Sequence, residues 1–275
     1  PATRPGLVSR PWQEVLKEAQ DLAEKGCHEA VITGVLVGSY GPDSGSQGPD
    51  LASLIRLVAE ESGLARIRLS SIEPQQVDDA LISLVEEGKL MPHLHIPLQS
   101  GSSRVLSAMN RRYSAEEYLA VLERIREKVP EAAVTTDVMV GFPTEGEAEF
   151  AETLETARSA RFAKAHVFRF SPRWGTQADP LGDPVHPDIK KQRALILSQS
   201  VESGAEDLAE AKLDETLRLI LEMKQDKEGL WEGKSDCGWS VKCPGPAGLG
   251  GALAWARVER REGLQLFGSL TSAPR

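Results

Sequence analysis

Residues 133–170, AVTTDVMVGFPTEGEAEFAETLETARSARFAKAHVFRF, contain the pattern that decides the fold. Residues 133–140 are rich in valine and threonine, which favours a β-strand, and Gly141 begins the turn that follows. Residues 146–160 have the apolar spacing of a helix, and residues 164–170 return to a strand pattern. This order of strand, helix and strand predicts two parallel strands that are connected by a helix.

The same unit recurs along most of the chain. We predict further helices at residues 12–23, 51–62, 77–87, 115–128 and 187–212, and further strands at residues 30–34, 66–71 and 93–98. Repeated units of this kind predict an α/β fold over residues 1–213, a full or partial (β/α) barrel, with a doubly wound open sheet as the alternative. Because the chain starts with a helix, we expect that the first strand of the barrel is missing and that the chain is truncated.

The pattern changes after residue 213. Four short strand-like segments follow, separated by glycine, proline and charged turns: TLRLILEM, GWSVKC, ALAWARV and LQLFGSL. They predict a small all-β barrel or sandwich over residues 214–275. Residues 210–275 contain ten Lys or Arg and ten Asp or Glu, whereas the whole chain has a net charge of -9. A neutral small barrel beside an acidic domain indicates an RNA-binding module, and a packing or dimerisation appendage is the alternative.

Composition excludes several classes of protein. The three cysteines are too few and too scattered for a disulfide framework, and no pair has the spacing of a metal knuckle. No apolar run approaches the roughly 20 residues of a membrane span, and the first residues, PATRPGLVSR, lack the hydrophobic region of a signal peptide. We therefore predict a soluble, cytoplasmic protein, and the negative net charge argues against a broadly basic surface.

Polar residues alternate with apolar ones on the predicted strands. This alternation turns one set of polar side chains towards the barrel lumen: Arg68, Ser70, His93, His95, Gln99 and Asp137. Barrel interiors are normally filled by Val, Ile and Leu, so a polar lumen predicts a site for a polar ligand. His93 and His95 alone do not predict a metal site, because no third ligand is visible at a suitable spacing.

Three glycine-containing turns follow predicted strands. Residues 33–41, 99–103 and 140–145 should lie at the carboxyl ends of the strands, where barrel enzymes keep their active sites. Glycine allows a backbone to approach a ligand closely, although none of the turns is a P-loop or a dinucleotide fingerprint. An ordinary barrel lyase or aldolase would need a Schiff-base lysine or a pair of catalytic carboxylates at these ends, and no such lysine is present.

Five motifs in this order resemble the radical-SAM methylthiotransferases. They are SSIEP (70–74), PHLHIPLQSGS (92–102), LSAMNRRYS (106–114), TTDVMVGFPTE (135–145) and FRFSPRWGT (168–176). The resemblance covers nearly the entire chain, and its last strands resemble the TRAM domain, a small RNA-binding β barrel. GVLVGSYG and SSIEP are most similar to the subgroup that modifies threonylcarbamoyl-adenosine in tRNA. Two other subgroups modify isopentenyl-adenosine in tRNA and an aspartate of a ribosomal protein.

The resemblance implies a radical reaction with S-adenosylmethionine and 4Fe-4S clusters as cofactors. In the family, a cluster on a CxxxCxxC loop binds S-adenosylmethionine, and methylthiolation occurs at C2 of an adenine next to the anticodon. The implied partners are tRNA and a reducing protein such as flavodoxin or ferredoxin. This chain contains no CxxxCxxC loop, so we expect it to hold neither cluster. The family activity is then expected for the intact protein, with a catalytically inactive, tRNA-binding fragment as the alternative.

The family also implies roles for individual residues near the cofactor. Thr33 and Gly34 match the strand end that contacts the methionine amino group, and Ser70, Gln99 and Ser100 match positions that contact ribose and carboxylate. Gly141 and Glu145 match the segment whose backbone lies against adenine. Asp137 is the implied catalytic residue, binding ribose or polarising the substrate, and Arg111 would meet the carboxylate of S-adenosylmethionine or a tRNA phosphate.

A further group of residues is implied to bind RNA. Arg169, Arg173 and Trp174 lie beyond the last predicted barrel strand, where cations contact phosphate and an aromatic ring stacks on an unpaired base. The alternative is that Arg169 pairs with a carboxylate and Trp174 packs against a helix.

Overall fold

The computed structural model describes residues 8–41 and 48–271. Its first part alternates helices and strands: α1 (Trp12–Glu24), β1 (Glu29–Ile32), α2 (Leu51–Glu61), β2 (Arg66–Leu69), α3 (Asp79–Glu86), β3 (His93–His95), α4 (Ser103–Ala108), α5 (Ala115–Lys128), β4 (Ala133–Val140), α6 (Glu147–Ala160), β5 (Lys164–Arg169) and α7 (Pro187–Glu210). Its second part contains β6 (Thr216–Leu221), β7 (Leu230–Ser235), β8 (Ser240–Pro244), β9 (Leu253–Glu262) and β10 (Gln265–Leu270).

The strands of the first part form one curved, parallel layer. β1 pairs with β2, and β3, β4 and β5 pair in that order, all in parallel. Two backbone hydrogen bonds join β2 to β3: Met91 N donates to Ile67 O at 2.9 Å, and Ile72 N donates to His95 O at 3.0 Å. The strand order in space therefore equals the order along the chain, which confirms the partial (β/α) barrel and excludes the doubly wound sheet.

The helices cover the outer face of this layer. Val134, Val138 and Val140 of β4 are buried with apolar residues of α5 and α6 in one continuous core. Asp78 caps α3 by accepting a hydrogen bond from Leu81 N, and Ser114 and Glu117 form a reciprocal capping box at α5. The outward apolar side and the inward polar side of β4 are therefore set by alternation, as the sequence predicts. None of the helices in the described residues is long and apolar enough to cross a membrane.

The second part is a closed barrel with the strand order β10, β8, β7, β6, β9. The sequence predicted four of its strands and missed β7, whose sequence is LWEGKS. Trp231, Gly233 and Ser235 of β7 are buried, while the residues between them are charged. Gly233 packs closely inside the barrel, since an added Cβ would lie 3.0 Å from Leu219 Cβ and the neighbouring side chains would have to move. The alternation of β7 was not recognisable in the sequence, because its central inward residue is a glycine between two charged residues.

The small barrel docks against the amino ends of the parallel strands. Arg66 donates hydrogen bonds to Glu29 at 2.6 and 2.8 Å, to Asp236 Oδ1 at 3.1 Å and to the carbonyl of Lys234 at 2.9 Å. Arg68 donates to the carbonyls of residues 235 and 236 at 2.6 and 2.9 Å. The side chain of Arg66 is 0% exposed. The turn between β7 and β8 therefore closes the floor of the lumen, and Arg68, which the sequence placed in the lumen, is bound to this turn.

Candidate functional site

The inner face of the parallel layer carries a group of polar side chains above this floor. His95 Nδ1 lies 3.0 Å from Thr135 Oγ1, and His95 Nε2 lies 3.4 Å from Asp137 Oδ2. His166 of β5 is paired in register with Asp137, and its ring centre is 6.3 Å from that of His95. Asp137 is half-buried and faces the lumen, as its strand position predicts. The arrangement offers imidazole, hydroxyl and carboxylate groups to a polar ligand.

The loop after β1 lies at the upper edge of this face. Thr33 and Gly34 are exposed and line a cavity of 1430 Å³, which runs between α1 and the open edge of β1. Ser70 follows β2 on the neighbouring strand, and its amide donates a hydrogen bond to Ile32 O at 2.9 Å. The Ser70 hydroxyl is buried and has no hydrogen-bond partner among the described residues. A buried hydroxyl without a partner is costly unless a ligand or water satisfies it.

Gln99 occupies a strained position at the end of β3. Its φ of 65° lies in the left-handed region, and its backbone is held by bonds to Asp137 O and from Met139 N, both at 2.8 Å. A residue other than glycine is kept in this region only where the surrounding structure holds it there. Gln99 is therefore fixed at the carboxyl end of β3, beside β4.

Ser100 does not reach the lumen, in contrast to the expected ligand contact. Its side chain is fully buried and lies 3.3 Å from Thr153 Oγ1 on α6, and its hydroxyl also accepts a hydrogen bond from Ser102 N at 3.2 Å. The φ of Gln99 turns the chain towards the helices at this point. The Ser100 hydroxyl therefore holds the turn against α6, and a contact between Ser100 and a ligand stays a prediction.

The turn after β4 is anchored from below by two side chains of α7. Gly141 has a φ of 73°, and an added Cβ would lie 2.4 Å from Lys190 Cγ. Gly141 N donates to Glu145 Oε1 at 2.8 Å, and Arg193 Nη1 donates to the same oxygen at 2.7 Å. Burial raises the pKa of the Glu145 carboxyl, and the bonds from Gly141 and Arg193 act in the opposite direction. Glu145 therefore shapes the turn from its buried side.

Arg111 is already paired within the chain. Its Nη1 donates a hydrogen bond to Glu73 Oε1 at 2.9 Å, which joins the MNRRY segment to the SSIEP segment. Both side chains are about one third exposed. An anion that binds Arg111 would have to compete with Glu73, so the expected contact with a carboxylate or phosphate carries an energetic cost.

The described part of the chain does not show the packing alternative for the predicted RNA-binding residues Arg169, Arg173 and Trp174, in which Arg169 pairs with a carboxylate and Trp174 packs against a helix. Trp174 is 95% exposed, and the described residues provide no ion pair for Arg169 or Arg173. The tryptophan therefore packs against no helix, and the two cations remain available to an anion. Phe168, the residue before Arg169 on β5, adds a second exposed aromatic ring.

Three residues of this region were not identified from the sequence. Lys190 and Arg193 lie on a helix that is otherwise rich in exposed charges, so nothing in their spacing indicated burial. Thr135 did give a signal, because it is two residues from Asp137 on β4 and therefore on the same face.

The described residues do not contain a metal centre. No group of three or more His, Cys, Asp or Glu is arranged to hold a metal ion in the described ranges 8–41 and 48–271. Cys27 is exposed next to β1, whereas Cys237 and Cys243 are buried in the small barrel. Burial raises the pKa of the Cys243 thiol to about 11, so this thiol is unsuited to act as a thiolate ligand.

Comparison with known proteins places this architecture. A tRNA-2-methylthio-N(6)-dimethylallyladenosine synthase of Sphingopyxis alaskensis is 40% identical over 248 residues, which are 90% of this chain and 56% of the relative. The enzyme of the same name from Maricaulis maris is 34% identical over 281 residues, covering 100% of this chain and 62% of the relative. This chain thus spans less than two thirds of the length of these relatives.

Comparison with solved structures identifies the same kind of fold. Coproporphyrinogen III oxidase of Escherichia coli, a radical SAM enzyme, superposes with a TM-score of 0.53 at 14% identity, over 93% of this chain and 62% of that protein. The sequence profile described as the Radical SAM superfamily matches residues 2–157, which include the parallel strands β1 to β4 and the polar residues on their inner face. The chain belongs to the radical SAM superfamily.

Proposed function

We propose that this chain forms the part of a tRNA methylthiotransferase that binds S-adenosylmethionine and tRNA, with N6-dimethylallyladenosine as the modified base. The observation that carries the proposal is the match over nearly the whole chain to relatives named for this reaction. The relatives' names differ from the threonylcarbamoyl-adenosine subgroup that GVLVGSYG and SSIEP suggested. We therefore assign the dimethylallyl (isopentenyl) substrate. The threonylcarbamoyl nucleoside becomes an outcome of the test, and a ribosomal protein remains the alternative substrate.

Membership of the superfamily implies S-adenosylmethionine and a 4Fe-4S cluster as cofactors. The described residues fit the first of these. The partnerless Ser70 hydroxyl, the exposed Thr33 and Gly34 backbone and the lumen-facing Asp137 offer donors and acceptors to the ribose and amino acid groups. They do not fit a cluster, because the described residues hold no group of metal ligands. S-adenosylmethionine supplies the radical chemistry of this superfamily, and we assign these residues the tasks of binding and orienting it.

We propose that tRNA binds at the carboxyl end of β5 and the residues that follow it. Arg169 and Arg173 would contact phosphates, and Trp174 would stack on an unpaired base. Residues 214–275 would form a TRAM-like module that extends this contact. For the intact protein we also propose a cytoplasmic location and a reductant of the flavodoxin or ferredoxin type.

Two substitutions on this edge test the RNA contact. Trp174→Ala should weaken tRNA affinity by about 1–3 kcal/mol, because a stacked base contributes about this much. Arg173→Gln should weaken tRNA binding and reduce the slope of log affinity against log salt by about 1. Fluorescence anisotropy with labelled tRNA at several salt concentrations measures both effects. Arg158→Gln, at an exposed position on the outer face of α6, is the matched control and should leave the affinity and slope unchanged.

The small barrel should not be deleted to locate RNA binding. Its removal would expose the core that it shares with Ala133 and Ala209, and it would leave Arg66 and Arg68 without the carbonyls of residues 234–236. A loss of affinity after deletion would then report unfolding as well as a missing RNA contact. Point substitutions on the surface avoid this ambiguity.

Nucleoside mass spectrometry of tRNA tests the assigned reaction. In cells of the source organism that lack the intact protein, 2-methylthio-N6-dimethylallyladenosine should disappear, and its unmodified precursor should accumulate. Loss of the threonylcarbamoyl counterpart instead would contradict the assigned base. Unchanged methylthiolated nucleosides, together with retained tRNA binding by this chain, would support the catalytically inactive RNA-binding alternative.

A further inference from the structure

A continuous row of polar groups leads from the floor of the lumen to Asp137. His93 Nε2 lies 3.3 Å from Thr135 Oγ1, and the same hydroxyl lies 3.0 Å from His95 Nδ1. His95 Nε2 in turn lies 3.4 Å from Asp137 Oδ2. Three strand residues on β3 and β4 and the carboxylate of Asp137 are thus connected side chain to side chain.

The chemistry of these groups gives the row a direction. The Asp137 carboxylate lies 3.4 Å from His95 Nε2, longer than an ordinary hydrogen bond, and its negative charge favours hydrogen on that nitrogen of His95. In a neutral imidazole the other nitrogen is then an acceptor, and Thr135 must donate its single hydroxyl hydrogen to His95 Nδ1. The Thr135 oxygen is left to accept from His93 Nε2. Both neutral rings are therefore assigned as the tautomer with hydrogen on Nε2.

The position of His93 is fixed from below. A Cβ added to Gly238, in the turn between β7 and β8, would lie 2.9 Å from His93 Cδ2, so the backbone of the docked barrel packs directly against this ring. Burial and the nearby Arg68 lower the pKa of His93 to about 4. The ring is thus neutral at physiological pH and donates through one nitrogen only. Gly238 has a φ of 85°, a conformation that favours glycine.

The far end of the row is open. Asp137 Oδ1 has no hydrogen-bond partner among the residues that the structure describes, and the Asp137 side chain is one third exposed to the lumen. The nearest residues on β5 are Lys164, in register with Thr135, and His166, in register with Asp137. Oδ2 lies beside His95 Nε2, which leaves Oδ1 to accept a hydrogen bond from a ligand in the lumen.

We propose that Thr135 and His93 are positioning residues, which fix His95 as its Nε2–H tautomer and so present Asp137 Oδ1 to an N–H or O–H donor of a nucleoside in the lumen. The nucleoside part rests on the proposed function. The tautomer part does not, since it follows from contacts within the chain. Removing the hydroxyl of Thr135 frees His95 Nδ1 and allows the second tautomer.

Imidazole NMR of this chain with ¹⁵N-labelled histidine tests the tautomer. The spectra are recorded at about pH 8, above the ordinary imidazole pKa of about 6.5, and His95 is assigned from the signals lost in His95→Gln. The Nε2–H form of His95 should predominate in the unsubstituted chain and in Thr135→Ser. In Thr135→Val, which keeps the shape and loses the hydroxyl, the Nδ1–H fraction should rise about fivefold, the equivalent of one hydrogen bond. An Nδ1–H tautomer in the unsubstituted chain, or no change in Thr135→Val, would overturn the positioning role.

Adenosine serves as the probe for the open carboxylate oxygen. Adding it should shift the His95 signals of the unsubstituted chain and of Thr135→Ser, and the shift should be lost in Asp137→Asn. No adenosine-dependent shift in the unsubstituted chain would overturn the presentation of Asp137 to a nucleoside. The tautomer measurement needs no ligand and no turnover. It would therefore be unchanged if the methylthiotransferase assignment failed, and the two failures can be told apart.

Discussion

Replacing Arg193 with methionine should lower the free energy of unfolding by about 3–5 kcal/mol, because it leaves the buried carboxylate of Glu145 without its partner cation. The Glu145 side chain is 0% exposed, and Arg193 donates both to its carboxylate and to its backbone carbonyl. Methionine fills a similar volume beside Phe150, whose ring lies 5.3 Å from the guanidinium, so the loss reports the ion pair rather than a cavity. Chemical denaturation of the chain near pH 7.5, followed by circular dichroism, measures the change.

The matched control is Glu147, the second carboxylate that binds Arg193. Glu147 also accepts a hydrogen bond from Arg193 at 2.6 Å, but its side chain is 84% exposed. Glu147→Gln should therefore change the stability by no more than about 1 kcal/mol, as expected for an exposed ion pair. Equal losses in the two variants would show that burial of Glu145 does not decide the energy and would contradict the account of the turn after β4.

The pH dependence of the stability of Arg193→Met has a defined sign. Burial raises the pKa of Glu145 in the folded state, so protonation of this group favours folding. That contribution is fully present below the ordinary carboxyl pKa of about 4.3 and is lost as the pH rises through the raised value. Without Arg193 the folded-state pKa should rise further. The stability deficit of Arg193→Met should therefore shrink as the pH falls, and a deficit that grows towards acid would contradict this reasoning.

Much of the fold was predictable because local patterns and tertiary environment agree. Residues 133–140 alternate between the helix side and the lumen, and the observed strand has the same bounds. The helix predicted at residues 115–128 is also observed with the same bounds, since Ser114 and Glu117 supply a capping box that defines its start. The lumen position of Asp137 follows from the two-residue period of a strand, which needs no knowledge of distant contacts.

The contacts that the sequence did not predict arise where distant parts of the chain meet. The sequence placed Arg68 inside the lumen, where the structure also has it, but the carbonyls that bind it come from residues 235 and 236 of the small barrel. Ser100 follows a strand, as predicted, yet the left-handed backbone of Gln99 turns its hydroxyl towards Thr153 on α6. Arg111 was expected to meet the carboxylate of S-adenosylmethionine or a tRNA phosphate, and its bond to Glu73 was not predicted. Each partner lies more than 35 residues away, beyond the reach of local pattern reasoning.

On the proposed function, replacing Asp137 with asparagine in the intact protein should reduce methylthiolation by about 10- to 150-fold, the equivalent of a hydrogen bond to a charged group of about 1.5–3 kcal/mol. Asparagine keeps the size of the side chain, so Thr135, His95 and the strand should stay in place. The substitution replaces a charged acceptor by a neutral amide at the carboxylate of β4 that faces the lumen. The fold should be unchanged, because Asp137 is half-buried and an asparagine amide oxygen can occupy the same position beside His95.

The most direct test of the lumen as the functional site is tRNA nucleoside mass spectrometry on cells that lack the intact protein and carry it back with Asp137→Asn. Asp188→Asn, at a side chain that is 88% exposed on α7, serves as the matched control. The account predicts that the control restores 2-methylthio-N6-dimethylallyladenosine and that Asp137→Asn restores less than about one tenth of it, in line with the loss of one charged hydrogen bond. Full restoration by Asp137→Asn, at equal protein abundance, would contradict the assignment of the lumen as the site.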